Sequence, residues 1–191
     1  MSDQTQLKTT KPEAIVEHVT EHLGEADLND LCDSTDSAIE GGGGFGWVEL
    51  PARDVLERYW QGVITAPTRE LFIARLDGVI CGTTQIILPA SNNDAQSHIV
   101  HLTTNFVAPW ARGHGLAKRL LEEVEAWCVE QGYSVINLDV RETMDAAIQL
   151  YESLGYVQFG AHPYSVKAGG QIIKSRYYYK VIDPKAFEQN S

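Results

Sequence analysis

Six consecutive residues carry the sharpest chemical signal in this sequence: Arg112-Gly113-His114-Gly115-Leu116-Ala117. The glycines let the chain curl so that successive backbone N–H groups converge. A helix is expected to start here, and its N-terminus adds partial positive charge. Arg112, Lys118 and Arg119 add full charges. Such a turn suits a diphosphate held by backbone amides. It is neither a P-loop, which needs GxxxxGK[ST], nor a GxGxxG dinucleotide turn.

The elements that must position this loop follow from periodicity and turn residues. Before it, His98–Val107 reads as a strand stopped by Pro109. After it, Leu116, Leu120, Leu121, Val124, Trp127 and Cys128 form one apolar stripe, predicting a helix over Gly115–Gln131 that Gly132 ends. Ser134–Val140 is the next strand, and Thr143–Leu154 a helix with Thr143 as N-cap. Val157–Ala161 and Ile172–Ile182 are the last strands. Upstream, the pattern predicts a strand over Ala14–Thr20, helices over Ala26–Glu40 and Arg53–Ile64, and strands over Glu70–Leu76 and Val79–Leu88 joined by the hairpin turn Asp77-Gly78. The class is α/β or α+β, a mixed sheet with helices packed on it. On the strand before the loop, Val100, Leu102, Thr104 and Phe106 are expected to alternate with a polar row of His101, Thr103, Asn105 and Val107. On the strand after the helix, Ile136, Leu138 and Val140 alternate with Val135, Asn137 and Asp139. Each polar row is a candidate cleft wall.

Two linked segments resemble the GCN5-related N-acetyltransferase (GNAT) superfamily. The first is Val107-Ala108-Pro109-Trp110-Ala111-Arg112 with the glycine loop, where Arg112, Gly115 and Ala117 match Q/R-x-x-G-x-G/A. The second, Leu138–Arg141 with Ala147–Tyr156, is similar to the ribosomal-protein N-terminal acetyltransferases. The resemblance implies a mostly antiparallel sheet with a splayed central parallel pair and helices on both faces. It also implies acetyl-CoA as co-substrate. Its pantetheine arm would pair with the backbone of Asn105, Phe106 and Val107, and its pyrophosphate would rest on Gly113, His114, Gly115, Leu116, Ala117 and Lys118 beside Arg112.

Acetyl transfer to an amine needs a base for the amine and an acid for the departing thiolate. Tyr151 stands at the family's tyrosine position, and a phenol of pKa about 10 suits the acid. Asp139 matches a catalytic glutamate of the ribosomal-protein enzymes, one methylene shorter. His101 is a second candidate base, suited to work near neutral pH. Met144 replaces an asparagine common in the family seven residues before the tyrosine, and cannot make that residue's polar contact. Residues 160–180 are similar to tabtoxin-resistance-type acetyltransferases, which points to a small-molecule acceptor. Acetylation of a protein N-terminus and a non-catalytic acyl-CoA sensor are the alternatives. The GGGGFG run at 41–46 is a candidate lid, with Trp47, Tyr59 and Trp60 as a candidate apolar wall.

Length and charge bound these expectations. The 191 residues suit one domain of about 100–200 residues, expected over 14–183 between a flexible tail at 1–13 and a C-terminal tail at 184–191. Net charge is −11, which disfavours nucleic acid. The first 50 residues hold 11 acids and two bases, which predicts a cationic amine acceptor. Three scattered cysteines and six histidines without HExxH predict no disulfide framework and no metal. No apolar run approaches the roughly 18 residues of a membrane span, and the polar N-terminus has no signal-peptide core, so a cytoplasmic location is expected. A homodimer is left open.

Overall fold

A computed structural model describes residues 11–43 and 46–190. The first ten residues of the expected N-terminal tail, Ser191 at the other end, and Gly44 and Phe45 of the candidate lid lie outside the described residues. One sheet has the strand order β1-β2-β3-β4-β5-β7-β6. The strands are β1 (Ala14–Val19), β2 (Arg69–Leu76), β3 (Val79–Ile87), β4 (Ile99–Val107), β5 (Val135–Arg141), β6 (Val157–Ala168) and β7 (Gln171–Val181). Every neighbouring pair is antiparallel except β4 with β5. Helices α1 (Glu25–Glu40) and α2 (Arg53–Thr65) pack on one face, α3 (Leu116–Glu130) and α4 (Asp145–Ser153) on the other. This is the mixed, mostly antiparallel sheet with a central parallel pair that the two segments implied.

The apolar stripe of α3 explains its seat. Leu116, Leu120, Leu121, Val124 and Cys128 are buried against Val100, Leu102, Ile136 and Leu138 of the central strands. Fully burying one such aliphatic side chain is worth about 1.5–3 kcal/mol. A second cluster joins Leu31, Leu56, Trp60 and Val63 to Leu71, Ile73 and Ile80. Trp47 and Tyr59 pack on this cluster, with the Tyr59 ring 5.0 Å from both Trp47 and Trp60. They are therefore part of the α1–α2 layer and do not wall the central cleft. Arg75 of β2 pins α1 down through Asp27, at 2.7 and 2.8 Å, and also bonds Glu17 of β1.

The decisive irregularity lies in β4. Gln85 of β3 faces Thr103, but Thr83 faces Phe106, so two steps on β3 oppose three on β4. This is a β-bulge. Thr104 sits in it at φ 51°, a left-handed conformation that a β-branched residue rarely adopts. The extra residue inverts the alternation. Val100 and Leu102 enter the α3 core, yet beyond the bulge it is Val107 that does so, while Phe106 packs on the α1–α2 cluster. The unbroken alternation expected from Val100 to Val107, with Asn105 and Val107 in the row of His101, therefore fails past Thr103. The bend also parts the parallel pair: β4 and β5 are in register only from Ile99↔Val135 to Leu102↔Leu138.

Expected boundaries move at α4 and at β6. Helix α4 begins at Asp145 with Met144, not Thr143, at the cap position and no side-chain cap bond. Strand β6 runs to Ala168 rather than Ala161. A register break between His162 and Val166 takes up Pro163, and on the sheet's edge its missing N–H costs no ladder bond. The first part of the glycine run caps α1: Gly41, Gly42 and Gly43 donate to Ser37, Ile39 and Ala38 at 3.1, 3.0 and 2.7 Å. After β7, Pro184–Asn190 forms a short 3-10 helix with the Phe187 ring 5.9 Å from His98.

Candidate active site

At the end of β4 the chain makes a short turn, Pro109–Ala111, and enters the glycine loop. Gly113 and Gly115 have φ of 85° and 74°, where a side chain would be strained. Gly115 occupies the cap position of α3, where no side-chain cap bond is made to the first turn among the described residues. The other three helices carry an acid in their first turn; α3 carries none. Arg112 braces the loop by donating from Nε to the Val107 carbonyl at 3.3 Å. Lys118 lies 3.5 Å from Glu122 on the helix surface. Arg119 turns away and donates to the Ala14 carbonyl of β1. Two of the three expected bases thus flank the loop.

Where β4 and β5 part, a cleft of about 390 Å³ opens. Thr103, Thr104 and Asn105 line it from β4, and Asp139, Val140 and Arg141 from β5. Met144, Ala147 and Tyr151 line it from α4, and Ser165, Val166 and Lys167 from the outer half of β6. Gly46 and Val48 close it from the segment after α1.

Tyr151 is the buried centre of this cleft, 4% exposed. Asn105 donates from Nδ2 to the Tyr151 hydroxyl oxygen at 3.0 Å. Thr84 on β3 donates from Oγ1 to Asn105 Oδ1 at 2.7 Å. The two bonds fix the amide with its oxygen toward Thr84 and its NH₂ toward Tyr151, so the phenol's own proton is not consumed by Asn105. Burial pushes the phenol up to about 12; the Asn105 bond opposes that rise and the Asp139 charge adds to it. Asp139 Oδ1 lies 3.6 Å from His101 Nε2, with both side chains 40% exposed.

Tyr151, Asp139 and Asn105 thus share one cleft, and His101 stands beside Asp139. Phe106 and Val107 turn their side chains into the two cores, and their peptide groups lie on the stretch of β4 that β5 has left. Met144 fills a place on the cleft wall. Three contributions escaped the sequence. The Asn105 side chain meets Thr84 and Tyr151 only because of the bulge, which no turn residue announces. Lys167 and Ser165 reach the cleft because β6 is longer than its pattern suggested. Arg141 shares the alternating row of Asp139, which was the available signal.

Comparison with known proteins bears on the family and the fold. The model of the acetyltransferase (GNAT) family matches residues 33–156. An uncharacterized N-acetyltransferase from the hisH–hisA intergenic region of Azospirillum brasilense is 59% identical over 121 residues, 63% of this chain and 72% of that protein. Among solved structures, an N-acetyltransferase of Staphylococcus aureus Mu50 superposes with a TM-score of 0.75 at 16% identity, covering 90% of this chain and 99% of that one. The yncA protein of Salmonella typhimurium, solved with its cofactor acetyl-CoA, has a TM-score of 0.72 at 16% identity over 90% and 95% of the two chains.

Proposed function

Because the chain belongs to the acetyltransferase (GNAT) family and is an N-acetyltransferase, we propose that it moves an acetyl group from acetyl-CoA directly to the primary amine of a small molecule. The unit that does so spans residues 14–183. Its residues fit the donor. The amides of Gly113 to Lys118, with no acid in the first turn of α3, would take the diphosphate beside Arg112. The peptide groups of Asn105, Phe106 and Val107 would take the pantetheine arm as an added strand, along the part of β4 that has no β5 neighbour. When bound, acetyl-CoA supplies the acetyl thioester.

The observation that carries this reading is the Tyr151 hydroxyl, held by Asn105 in the cleft that Asp139 also lines. Asp139, with His101 beside it, takes a proton from the entering ammonium, directly or through one water. Tyr151 gives its hydroxyl proton to the sulfur that leaves, and recovers one from the nitrogen as the amide forms. Burial raises the phenol to about 12, and the same desolvation favours the neutral thiol over the thiolate, so protonation of the leaving sulfur is favoured there. The small acceptor is supported by the end of β6, which walls the cleft, and by a volume within the roughly 300–1,000 Å³ usual for small-molecule sites.

The test is thermal stabilisation by acetyl-CoA followed by release of free CoA thiol with a panel of amines. Saturating acetyl-CoA should raise the melting temperature, and less so in Arg112→Ala. No shift in the wild type would remove the reading.

A further inference from the structure

We infer that the acceptor amine carries a carboxylate, as an amino acid does, and that Arg141 and Lys167 hold this carboxylate while Asp139 and His101 receive the ammonium. The inference deepens the acetyl-transfer reading and rests on it.

Strand β5 presents its side chains alternately to the two faces of the sheet. Ile136, Leu138 and Val140 are buried under α3 and α4, so Asn137, Asp139 and Arg141 share the opposite face. Asp139 and Arg141 therefore stand side by side, about 7 Å apart along the strand. Both line the cleft, and Lys167 joins them from β6. Asp139 also stands close enough to Tyr151 for its charge to act on the phenol. The fixed charges among the described lining residues are thus one acid and two bases.

The acids that pointed to a cationic acceptor are elsewhere. None from the first 50 residues lines the cleft among the described residues. Glu17 and Asp27 bind Arg75, and Asp33 binds Arg53. An ordinary cationic amine would meet Asp139 and then two like charges. A zwitterion meets an acid with its ammonium and, a few bonds on, a guanidinium fork shaped for its carboxylate.

The test compares L-alanine, L-aspartate, L-glutamate and L-phenylalanine, each beside its own α-carboxamide, by acetyl-CoA-dependent thiol release. The best acid should exceed its carboxamide in kcat/KM by about tenfold or more, the usual advantage of charge-assisted bonds. Lys167→Gln, at an exposed position that leaves the fold intact, should raise KM for the acids more than for the carboxamides, and Arg141→Gln should do so more strongly. The N-acetyl amino acid should also stabilise the wild type against heat more than its carboxamide does. Equal or better use of every carboxamide, with thiol released in both arms, would overturn the carboxylate and leave acetyl transfer standing. Thiol release with no amine at all would overturn both.

Discussion

Replacing the Tyr151 hydroxyl by hydrogen removes one proton donor and little volume. In Tyr151→Phe the ring still packs between Tyr156 and Tyr178, at centroid distances of 5.6 and 6.5 Å, so acetyl-CoA affinity should persist. The lost Asn105 bond should cost about 1 kcal/mol, a melting shift of about 2–4 °C at this length. Turnover should fall by roughly 10²–10⁴-fold, the worth of a positioned acid; a kcat near wild type would remove Tyr151 from that role. The raised phenol adds a second signature. With its pKa at about 12 it stays protonated through pH 10, where an ordinary tyrosine is half ionised. A short-time pH–rate profile should therefore show no basic limb from this group up to pH 10. At this scale residue type alone singled out Tyr151, Asp139 and His101, and the fold brings the first two into one cleft with His101 beside Asp139. Asn105 could be placed only through its backbone, because the direction of its side chain depends on a bulge that its own neighbours do not encode.

The elements differ in how openly they are written. Asp77 and Gly78 adopt φ of 50° and 85°, the positive values that a two-residue hairpin turn demands and that Asp-Gly tolerates. Helix α3 was readable from one stripe because that stripe meets one core. The outer half of β6 was not, since an exposed edge strand needs no apolar alternation and Pro163 looks like a stop. The bulge was hidden for the opposite reason: Thr104 is a residue type that argues against its own conformation. Its support comes from across the sheet. At Gly82, an added Cβ would lie 2.7 Å from the Phe106 carbonyl oxygen. Gly82→Ala should therefore push β4 away just past the bulge, costing about 1–3 kcal/mol as other overpacking does. Urea unfolding should record that loss, and acetyl-CoA affinity should fall with it because Phe106 and Val107 move. Unchanged affinity would show that the cofactor does not lie along this part of β4.

For the molecule as a whole, stability should be sensitive to alkali. Burial raises Cys32 and Cys81 from an ordinary 9.0 to about 11, Cys128 to about 12, and Tyr151 from 10.0 to about 12. Each group binds its proton more tightly folded than unfolded. Its contribution is complete below the unfolded value and is lost as pH rises through the folded one. The free energy of unfolding should thus hold steady up to about pH 9 and fall between about pH 9 and 12. Urea midpoints across that range measure it, and Cys128→Ala should flatten the fall while lowering stability at neutral pH. Both helix layers share the effect, since Cys32 belongs to the α1–α2 cluster and Cys81 and Cys128 to the other.

The single extra residue at Thr104 behaves like a frameshift in a two-letter text. Upstream of it even-numbered side chains of β4 face the α3 core and odd-numbered ones the opposite face; downstream the letters are exchanged. Most substitutions change one word and leave the frame intact, so the upstream half of the strand can vary the side chains on that opposite face without disturbing the pair at Asn105 and Tyr151. A deletion has no such licence. Removing Thr104 would restore one continuous phase and swing every residue from Asn105 to Val107 to the opposite side of the sheet. The shortened strand should pair with β3 without interruption and run on beside β5. Such a protein should give an ordinary cooperative melt and yet show no stabilisation by acetyl-CoA at any concentration.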